Sequence, residues 1–535
     1  MNANNNKNQN PVNENITSGD NISYWLSSIK NTLAFEKLNQ DIDTDILVIG
    51  GGISGLTTAY CLAEKGRKVI LVEDGNLGSG ETGRTTAHLT CALDDRYYDL
   101  EKTFNKKTAH LAAQSHIEAI EWIDKTIKLN RIDCNFKYVD GYLFSHPSDN
   151  PDNLDKEYEA LKNTEIKNEL LENIPFVKSE DGKPCIKFYD QAQFHVLKYL
   201  NGLADAFIKL GGKIYTQTKA ENITSEGATA NGFKIKAKHI VVATNTPIND
   251  WVTIHTKQWP YRSYVVGAKI RKGKLPYALW WDTGDADSQW LSQPYHYVRL
   301  EEFDEQYDIL IAGGEDHRTG QTDDENLSEI DRYEKLEQWT KKHFPDIEKF
   351  EYRWSGQIME PLDSLAYIGK NPGDDNIYII TGDSGNGMTH GTLGGMIITD
   401  IIMERENPYV SIYDPSRITL NVAKDYLEEV GNMIVQLGDW FTTENIENLK
   451  NLPLGEGGVF SSGFKKIAIF RDLDNKLHSC SAVCPHLGGI LQWNPDEKTF
   501  DCPLHGSRFT VDGKVINGPA SSNLKNVAVT FPDDE

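Results

Sequence analysis

Two cysteines and two histidines stand in a pair of short motifs near the C-terminus. The first motif is Cys484-Pro485-His486, and the second is Cys502-Pro503-Leu504-His505. Each motif supplies one thiolate and one imidazole, which suits a [2Fe–2S] cluster with two cysteines on one iron and two histidines on the other. A structural zinc site and buried residues without a metal remain open as alternatives. Flanking glycines, among them Gly488 and Gly506, would let backbone N–H groups approach cluster sulfides.

A second chemical signal is a glycine-rich turn between a strand and a helix. An apolar run ends in Gly50-Gly51-Gly52-Ile53-Ser54-Gly55, and a helical pattern follows over Leu56–Lys65. At this spacing the first glycine permits a tight turn, the second lets backbone approach a pyrophosphate, and the third lets the helix pack on the strand. The helix N-terminus then offers free N–H groups to the phosphates. The pattern predicts a dinucleotide site formed by Gly50, Gly52, Ile53, Ser54 and Gly55.

An acidic residue strengthens this prediction. A second strand, Lys68–Val72, ends at Glu73, about 20 residues past the glycines, where a carboxylate binds a ribose hydroxyl. The loop Gly80–Leu89 is rich in small and hydroxyl residues and could lie along a cofactor. A second glycine-rich turn, Gly382–Met388, also leads into a helix, but it lacks the fingerprint spacing. We therefore expect a single dinucleotide site.

The composition excludes several classes of function. Lysine and arginine number 55 against 79 aspartates and glutamates, and the net charge of −24 argues against nucleic acid or an anionic membrane as partner. No apolar run reaches transmembrane length, and the Asn-rich start, Met1–Thr17, lacks the apolar region of a secretory signal. Four of the seven cysteines are scattered singly, which does not suggest a disulfide framework. We therefore expect a cytoplasmic protein, with Cys480 as a core thiol.

The strand and helix patterns predict a mixed α/β and all-β chain. Buried strands over Asp45–Ile49, Ile240–Ala243 and Asn376–Thr381 indicate one parallel sheet that the chain re-enters. Residues 251–350 alternate strands with aromatic turns, which indicates an inserted, mostly antiparallel substrate domain. The expected boundaries are 1–40 for a disordered lead-in, 41–135, 195–250 and 351–417 for a Rossmann-like nucleotide-binding domain, 136–194 and 251–350 for the substrate domain, 418–447 for a helical connector and 448–535 for a small β module.

The C-terminal segment Asn448–Pro532 resembles Rieske ferredoxin domains through its two Cys/His motifs. The resemblance implies that Cys484 and Cys502 bind the inner iron and that His486 and His505 bind the outer iron.

Two departures separate this segment from the Rieske proteins of respiratory bc complexes. Gly489 and Leu504 stand where those proteins have a disulfide, and Phe509 stands where high-potential members have a tyrosine that hydrogen-bonds a cluster cysteine. Ser507 remains as a hydroxyl donor. Because fewer hydrogen bonds would reach the sulfur atoms, we predict a reduction potential below that of the respiratory proteins.

Residues from Asp45 to Arg417 resemble the glycine/D-amino-acid oxidase family of flavoenzymes. The resemblance is carried by the Gly50–Gly55 turn, Glu73, the Gly80–Leu89 loop, Ala243-Thr244 and the Gly382–Met388 turn. It implies FAD, with Glu73 on the adenosine ribose and Gly387-Met388 near the reduced flavin. Some members attach FAD covalently through His or Cys, but neither His88 nor Cys91 matches a known linkage position, so we expect non-covalent FAD. Beyond the first turn, the residues expected to bind FAD are Glu73, Thr82, Gly83, Arg84, Thr86, His88, Ala243, Thr244, Gly385, Gly387 and Met388. The combination with a Rieske domain resembles bacterial FAD-dependent oxidoreductases of that architecture.

Substrate residues follow only from the family pattern. Members bind a substrate carboxylate with an arginine, and often a tyrosine, from the second sheet. The expected catalytic residues are Arg262, Tyr264, Tyr297 and Arg299, although each taken alone is more often structural. Residues Arg353–Pro361 are expected to pack as a loop on the flavin side.

The predicted function is oxidation of an amine or amino acid by hydride transfer to FAD, with electrons passed through the cluster to an unidentified acceptor. One alternative is a reductase driven by NAD(P)H, which would need a nicotinamide site besides the one fingerprint. Another is a redox sensor or electron-transfer protein without turnover. A Rieske oxygenase would need a mononuclear iron domain, for which the residues after His505 are too few.

Overall fold

The computed structural model describes residues 17–29, 33–178, 183–249, 254–290, 293–321, 327–419, 421 and 444–529. Nearly all of the connector helix expected over Leu420–Leu437 lies outside these residues. Within the described ranges, no helix is both long enough and apolar enough to cross a membrane.

The body of the chain alternates helices with strands. Its helices are α1 (Tyr24–Ser28), α2 (Ile53–Glu64), α3 (Tyr97–Thr103), α4 (Lys106–Asn130), α5 (Asp152–Leu161), α6 (Val196–Lys209), α7 (Glu329–His343), α8 (Gly387–Ile402) and α9 (Val410–Tyr413). Its strands are β1 (Ile42–Ile49), β2 (Val69–Val72), β3 (His88–Leu89), β4 (Lys137–Phe144), β5 (Asn168–Leu171), β6 (Cys185–Gln193), β7 (Lys213–Tyr215), β8 (Ala220–Thr224), β9 (Gly227–Ala230), β10 (Phe233–Val242), β11 (Gln258–Arg271), β12 (Ala278–Asp282), β13 (Tyr297–Glu302), β14 (Tyr307–Arg318), β15 (Ile347–Pro361), β16 (Tyr367–Lys370) and β17 (Ile377–Thr381). Side chains define several helix starts, as where Ser328 and Asp331 form a capping box on α7.

The first sheet has the strand order β16-β17-β10-β1-β2-β7, with the β8–β9 hairpin attached to β10. Strands β17, β10, β1, β2 and β7 run parallel, and β16 is antiparallel. The second half of β1 is fully buried between β10 and β2, which explains its unbroken Ile/Leu/Val composition. The predicted parallel sheet is confirmed, and it places the glycine turn after β1 at the carboxyl edge where α/β folds bind ligands.

Helices α2 and α8 pack side by side over this sheet. A Cβ on Gly395 would lie 2.8 Å from the backbone nitrogen of Thr58, and one on Gly391 would lie 2.6 Å from Ser54 Oγ. Glycine at these positions therefore permits the close approach of the two helices. Their N-termini consequently face the same side of the sheet.

The second sheet has the order β15-β11-β14-β13-β12-β4-β6-β3, with β5 on β6. All its pairings are antiparallel except that of β12 with β4. The expected boundary at 350/351 falls inside β15, which pairs with β11 from Ile347 to Pro361. Residues 353–361 are therefore strand rather than loop, because they pair with Gln258–Val266, a segment that lies far away in sequence.

The C-terminal module is a pair of small sheets, as the sequence predicts. Strands β18 (Glu444–Asn445), β19 (Glu456–Ser462), β20 (Lys465–Arg471) and β21 (Leu477–Ser481) form one sheet, and β22 (Gln492–Asn494), β23 (Thr499–Asp501), β24 (Arg508–Thr510) and β25 (Val515–Asn517) form the other. Both Cys/His motifs lie in loops, one between β21 and β22 and one between β23 and β24. The fold class is thus the expected one: a Rossmann-like domain with an inserted antiparallel sheet, followed by a small β domain.

A buried ion cluster joins this module to the body. Glu497, between β22 and β23, accepts hydrogen bonds from Arg84 Nη1 at 2.7 Å and from Ser355 Oγ at 2.6 Å, and Arg262 Nη2 lies 3.3 Å away. The side chains of Glu497, Arg84 and Arg262 are at most 1 % exposed. Burial raises the pKa of Glu497, but the guanidinium groups of Arg84, Arg262 and Arg508 lower it to about 2. The carboxylate is therefore charged at neutral pH and links three segments that are distant in sequence.

Candidate functional site

The glycine turn after β1 is shaped as a dinucleotide cradle. Gly50 has φ +108°, and a Cβ there would lie 2.3 Å from the carbonyl oxygen of Ala243. A Cβ on Gly55 would lie 1.9 Å from the carbonyl oxygen of Gly50. Glycine is therefore required at both positions, at the first by conformation and at the second by the contact of α2 with the turn.

Glu73 and Thr82 border this turn. Glu73 accepts hydrogen bonds from the N–H of Gly51 at 2.5 Å and of Gly75 at 2.9 Å. Burial, and then the neighbouring Asp74, raise the pKa of Glu73. Thr82 Oγ1 accepts the N–H of Ile53 at 3.1 Å, so a hydroxyl lies at the N-terminus of α2. A buried carboxylate at the end of β2 and a helix N-terminus fit the ribose and the pyrophosphate of FAD.

A long cleft runs from this turn into the second sheet. It is lined by Gly50–Ser54 of the turn and by Ser263, Val265 and Trp281 of the second sheet. Most of the residues predicted to bind the cofactor line this cleft. They are Gly50, Gly52, Ile53, Ser54, Glu73, Thr82, Arg84, Thr86, His88, Ala243, Thr244, Gly385, Gly387 and Met388. Gly55 and Gly83 do not line it; their absent side chains make room for the backbone carbonyls of Gly50 and Gly78.

The N-terminus of α8 also borders the cleft. Gly387 and Met388 line it, and a Cβ on Gly387 would lie 2.4 Å from Asp383 Oδ2. The free N–H groups of this first turn favour negative charge at their position. Two helix N-termini, a glycine cradle and a ribose-binding carboxylate along one cleft fit FAD, which supplies hydride-accepting chemistry when bound.

The C-terminal module completes the cleft wall. Asn517 Nδ2 donates to Glu81 Oε1 at 2.9 Å, between β25 and the loop after β2. The lining residues from the module are Val515, Ile516, Asn517, Gly518, Ala520 and Ser521. The dinucleotide site is thus built from both parts of the chain.

The four predicted cluster ligands come together in the module. Cys484 and Cys502 lie within hydrogen-bond distance, and the rings of His486 and His505 have centroids 5.0 Å apart. His505 is only 1 % exposed, and neither of its ring nitrogens has a hydrogen-bond partner among the described residues. Orphaned buried nitrogens are costly, and a metal ligand role accounts for them. Two thiols and two imidazoles fit a [2Fe–2S] cluster.

Several hydrogen-bond donors surround the sulfur of Cys484. A hydrogen bond from Cys502 has the largest effect in lowering the pKa of Cys484, and the N–H of His486 and the hydroxyl of Ser507 lower it further. Phe509 is fully buried and has no group to donate. A Cβ on Gly489 would lie 3.0 Å from Cys502 Sγ, so this position leaves space beside the sulfur. Ser507 is therefore a side-chain hydroxyl within hydrogen-bond distance of the Cys484 sulfur.

The two histidines face the body of the chain. The ring of His255 lies 5.0 Å from that of His486 and 5.9 Å from that of His505, centroid to centroid. His255 Nδ1 lies 3.5 Å from Thr246 Oγ1. Because the neighbouring Thr244 and Asn245 line the cleft, one short segment separates the cleft from the cluster loops.

Three of the four residues expected to bind substrate have other contacts. Arg262 pairs with Glu497, and Arg299 bonds to Glu301 and to the carbonyl oxygens of Thr86, Ala87 and Phe194. Tyr264 is fully buried outside the cleft wall, where its ring stacks on His317 at 5.7 Å. None of the three lines the cleft, and each arginine is paired with a buried glutamate, so these contacts give no support to a role in binding a substrate carboxylate.

Tyr297 does line the cleft, and its hydroxyl lies 2.6 Å from Ser263 Oγ. Asp94, Tyr295 and Gln357 also line it, and no motif in the sequence identifies them. Asp94 lies five residues past the Gly80–Leu89 loop, and that proximity was the available signal. Nothing local in the sequence distinguishes Gln357 from other strand residues.

Comparison with known proteins agrees with this geometry. The sequence matches the family described as FAD dependent oxidoreductase over residues 45–401 and the Rieske [2Fe-2S] domain over residues 442–528. It is 30% identical over 515 residues to the Rieske 2Fe-2S iron-sulfur protein YhfW of Bacillus subtilis (strain 168), covering 94% of this chain and 97% of that protein.

Two more distant relatives cover the body. Gamma-glutamylputrescine oxidoreductase of Escherichia coli (strain K12) is 26% identical over 396 residues, which are 71% of this chain and 88% of the relative. The crystal structure of L-proline dehydrogenase from P. horikoshii superposes with a TM-score of 0.54 at 18% identity, covering 71% of this chain and 98% of the other. The cofactors are FAD and a [2Fe–2S] cluster rather than zinc. The chain belongs to the FAD dependent oxidoreductase family and carries a C-terminal Rieske domain.

Proposed function

We propose that this oxidoreductase removes two electrons from a CH–NH donor by hydride transfer to FAD and passes them singly through its own cluster to an external one-electron acceptor. The donor becomes an imine, which water hydrolyses. The observation that carries the proposal is the position of the cluster loops, whose histidines are buried against the wall of the flavin cleft. A cluster held at that wall provides a route for electrons other than oxygen.

A second contact supports this route. Gln357 lines the cleft, and its Nε2 donates to the carbonyl oxygen of Gly506 at 3.1 Å, directly after the ligand His505. The backbone N–H of Gln357 donates to Glu81 Oε2 at 2.6 Å, so hydrogen bonds fix both the backbone and the side chain of Gln357. Together with the contact of His255 on His486, this gives two short connections from cleft to cluster.

The class of donor follows from the relatives. One is named for γ-glutamylputrescine and another for L-proline, and both compounds carry hydrogen on a carbon next to nitrogen. In our proposal Tyr297 borders the donor, and the first turn of α8 favours the negative charge that develops on the cofactor. We place the protein in the cytoplasm, since none of the seven cysteines, all of them in the described ranges, forms a disulfide.

Anaerobic reduction of the holoprotein tests the proposal. Amines and amino acids, including γ-glutamylputrescine and L-proline, are added singly, and flavin absorbance and the low-temperature EPR signal of the cluster are recorded. We expect at least one donor to bleach the flavin and then to produce the reduced-cluster signal. Bleaching with a cluster that stays oxidised would contradict electron transfer between the two. Bleaching by NADH and by none of the donors would favour the reductase alternative.

A further inference from the structure

The end of the cleft beside α8 has an aromatic wall. Trp281, Tyr295, Tyr297 and His88 all line it. The rings of Tyr295 and Tyr297 have centroids 5.2 Å apart, and His88 meets Tyr297 edge-on at 5.8 Å. The faces of tyrosine and tryptophan rings attract cations.

One carboxylate belongs to this wall. Asp94 lines the cleft and forms hydrogen bonds with the hydroxyl of Tyr295 and, at 3.4 Å, with Asn386 Nδ2. Asp94 Oδ2 lies only 1.8 Å from the position that a Cβ on Gly385 would occupy, so glycine there makes room for the carboxylate. A carboxylate accepts about four hydrogen bonds, and these two leave capacity for a ligand.

Positive charge is absent from this end among the residues that the structure describes. Of the described lining residues, only Arg84 and Lys219 are cationic. The guanidinium of Arg84 bonds to Glu497 and to backbone carbonyls, and Lys219 Nζ donates to the carbonyl oxygen of Ser521 beside the nucleotide end. Burial, and then Arg299, lower the pKa of His88 to about 3, so this histidine is neutral. A substrate carboxylate would find no cation to pair with here.

We infer that this end of the cleft binds the ammonium group of a cationic amine, with Asp94 as its ion-pair partner and the rings of Tyr295 and Tyr297 at its flanks. A donor with a carboxylate on the oxidised carbon is disfavoured, because its charge would face Asp94 without compensation. The inference rests on the proposed function and narrows its substrate class. Asp94 also serves as the proton acceptor. The ammonium nitrogen of the substrate transfers a proton to its carboxylate before a hydride can leave the adjacent carbon.

The electrostatics of Asp94 agree with this assignment. Burial raises its pKa to about 7, against the lowering effect of the Tyr295 hydrogen bond and of Arg96. Asp95 and Asp316 raise it further. A bound cation offsets the cost of burying the charge, whereas a bound anion increases it.

Binding to the oxidised, FAD-loaded protein tests the inference without turnover. The probes are benzyltrimethylammonium, benzoate and benzyl alcohol, which share a ring and differ in charge, and the flavin spectrum reports their dissociation constants. We expect the cation to bind at least about tenfold more tightly than benzoate. Tighter binding of benzoate, or no response to the cation up to its solubility limit, would overturn the inference.

Variants separate charge recognition from a merely structural role. Asp94→Asn is expected to weaken the cation about tenfold and to leave benzyl alcohol within about twofold, and Asp94→Glu is expected to restore part of the cation affinity. Asp99→Asn on α3, outside the cleft wall, is the matched control and should leave all three affinities unchanged. An equal loss for the cation and the alcohol in Asp94→Asn would assign Asp94 to loop support and refute the inference.

The outcome is separable from that of the proposed function. If the cation binds through Asp94 but no amine reduces the flavin, the ammonium site stands and the proposed reaction fails. If α-amino acids reduce the flavin and benzoate binds best, the proposed reaction stands and the ammonium site fails.

Discussion

The two cofactor sites of this molecule are built in opposite ways. The two cysteines and two histidines that we assign to the cluster come from one short segment, Cys484–His505, whose loops connect neighbouring strands of the same small module. The flavin cleft takes its wall from the first sheet, the second sheet, the N-terminus of α8 and the strand β25 of the module. The residues of a site that lies within one short segment can be predicted from a sequence motif. In a site assembled from distant segments, only positions where the backbone requires a particular residue, such as glycine, can be predicted in this way.

The largest expected effect is removal of one cluster ligand. Cys502→Ala leaves three ligands, so we expect complete loss of the cluster with FAD retained at the wild-type level. Iron and sulfide analysis and the EPR signal measure this. Cys480→Ala, which removes another buried thiol of the module, is the control and should keep the cluster. A cluster that persists in Cys502→Ala would contradict the ligand assignment.

The reciprocal change acts on the flavin cleft. Gly50→Ala forces a Cβ to within 2.3 Å of the Ala243 carbonyl at a positive φ, so we expect FAD content to fall about tenfold or more while the cluster is kept. Gly66→Ala is a matched control, since Gly66 has φ +76° and no atom within 4 Å of the added Cβ. Equal loss of FAD in both variants would show that backbone strain, and not the cradle, is responsible.

A third change tests the contact between the two sites. Glu497→Gln leaves Arg84 and Arg262 buried without their shared anion, which costs about 3–5 kcal/mol and should lower the thermal midpoint by several degrees. It should also slow reduction of the cluster by the flavin. Glu456→Gln, which removes a partly exposed pair with Lys498, should cost at most about 1 kcal/mol. Similar midpoints for the two variants would mean that the buried pairs contribute nothing to docking.

The lowered pKa of Glu497 predicts that its contribution to stability depends on pH. Its folded-state pKa is about 2 against an ordinary value of 4.5, so its stabilising effect is complete above pH 4.5 and is lost as the pH falls towards 2. The difference in thermal midpoint between the wild-type protein and Glu497→Gln should therefore shrink over that range. A constant difference down to pH 2 would contradict the lowered pKa.

The smallest expected effect concerns the cluster sulfur. Ser507→Ala removes the hydroxyl that donates to Cys484, and we expect the reduction potential to fall by about 60 mV, the equivalent of one charge-assisted hydrogen bond. Ser479→Ala, whose hydroxyl bonds to the carbonyl oxygen of Val527 in the same module, is the control. Equal potentials for Ser507→Ala and the wild-type protein in an EPR-monitored titration would remove Ser507 from the set of donors.

The sequence predicted what backbone geometry and local spacing impose. The glycine turn after β1, the parallel sheet, the helix that begins at Gly387 and the meeting of the two Cys/His motifs follow from nearby residues. The functions of Arg262 and Arg299 could not be predicted, because Glu497 lies 235 positions from Arg262 and nothing local marks the pair. The extension of β15 past residue 350 depends on pairing with β11, which is a tertiary contact. Asp94, in the segment before α3, and Tyr295, before β13, are distant in sequence and meet only in the folded protein.

The central claim is that the flavin reduces the cluster of its own chain. The most direct test is the rate of cluster reduction after rapid anaerobic reduction of the flavin by a donor, measured over a hundredfold range of protein concentration. We expect one first-order rate at all concentrations. When the cluster-free Cys502→Ala protein is mixed with the FAD-depleted Gly50→Ala protein, we expect no more cluster reduction than in the Gly50→Ala protein alone. A rate that rises in proportion to protein concentration, with transfer in the mixture, would contradict the account.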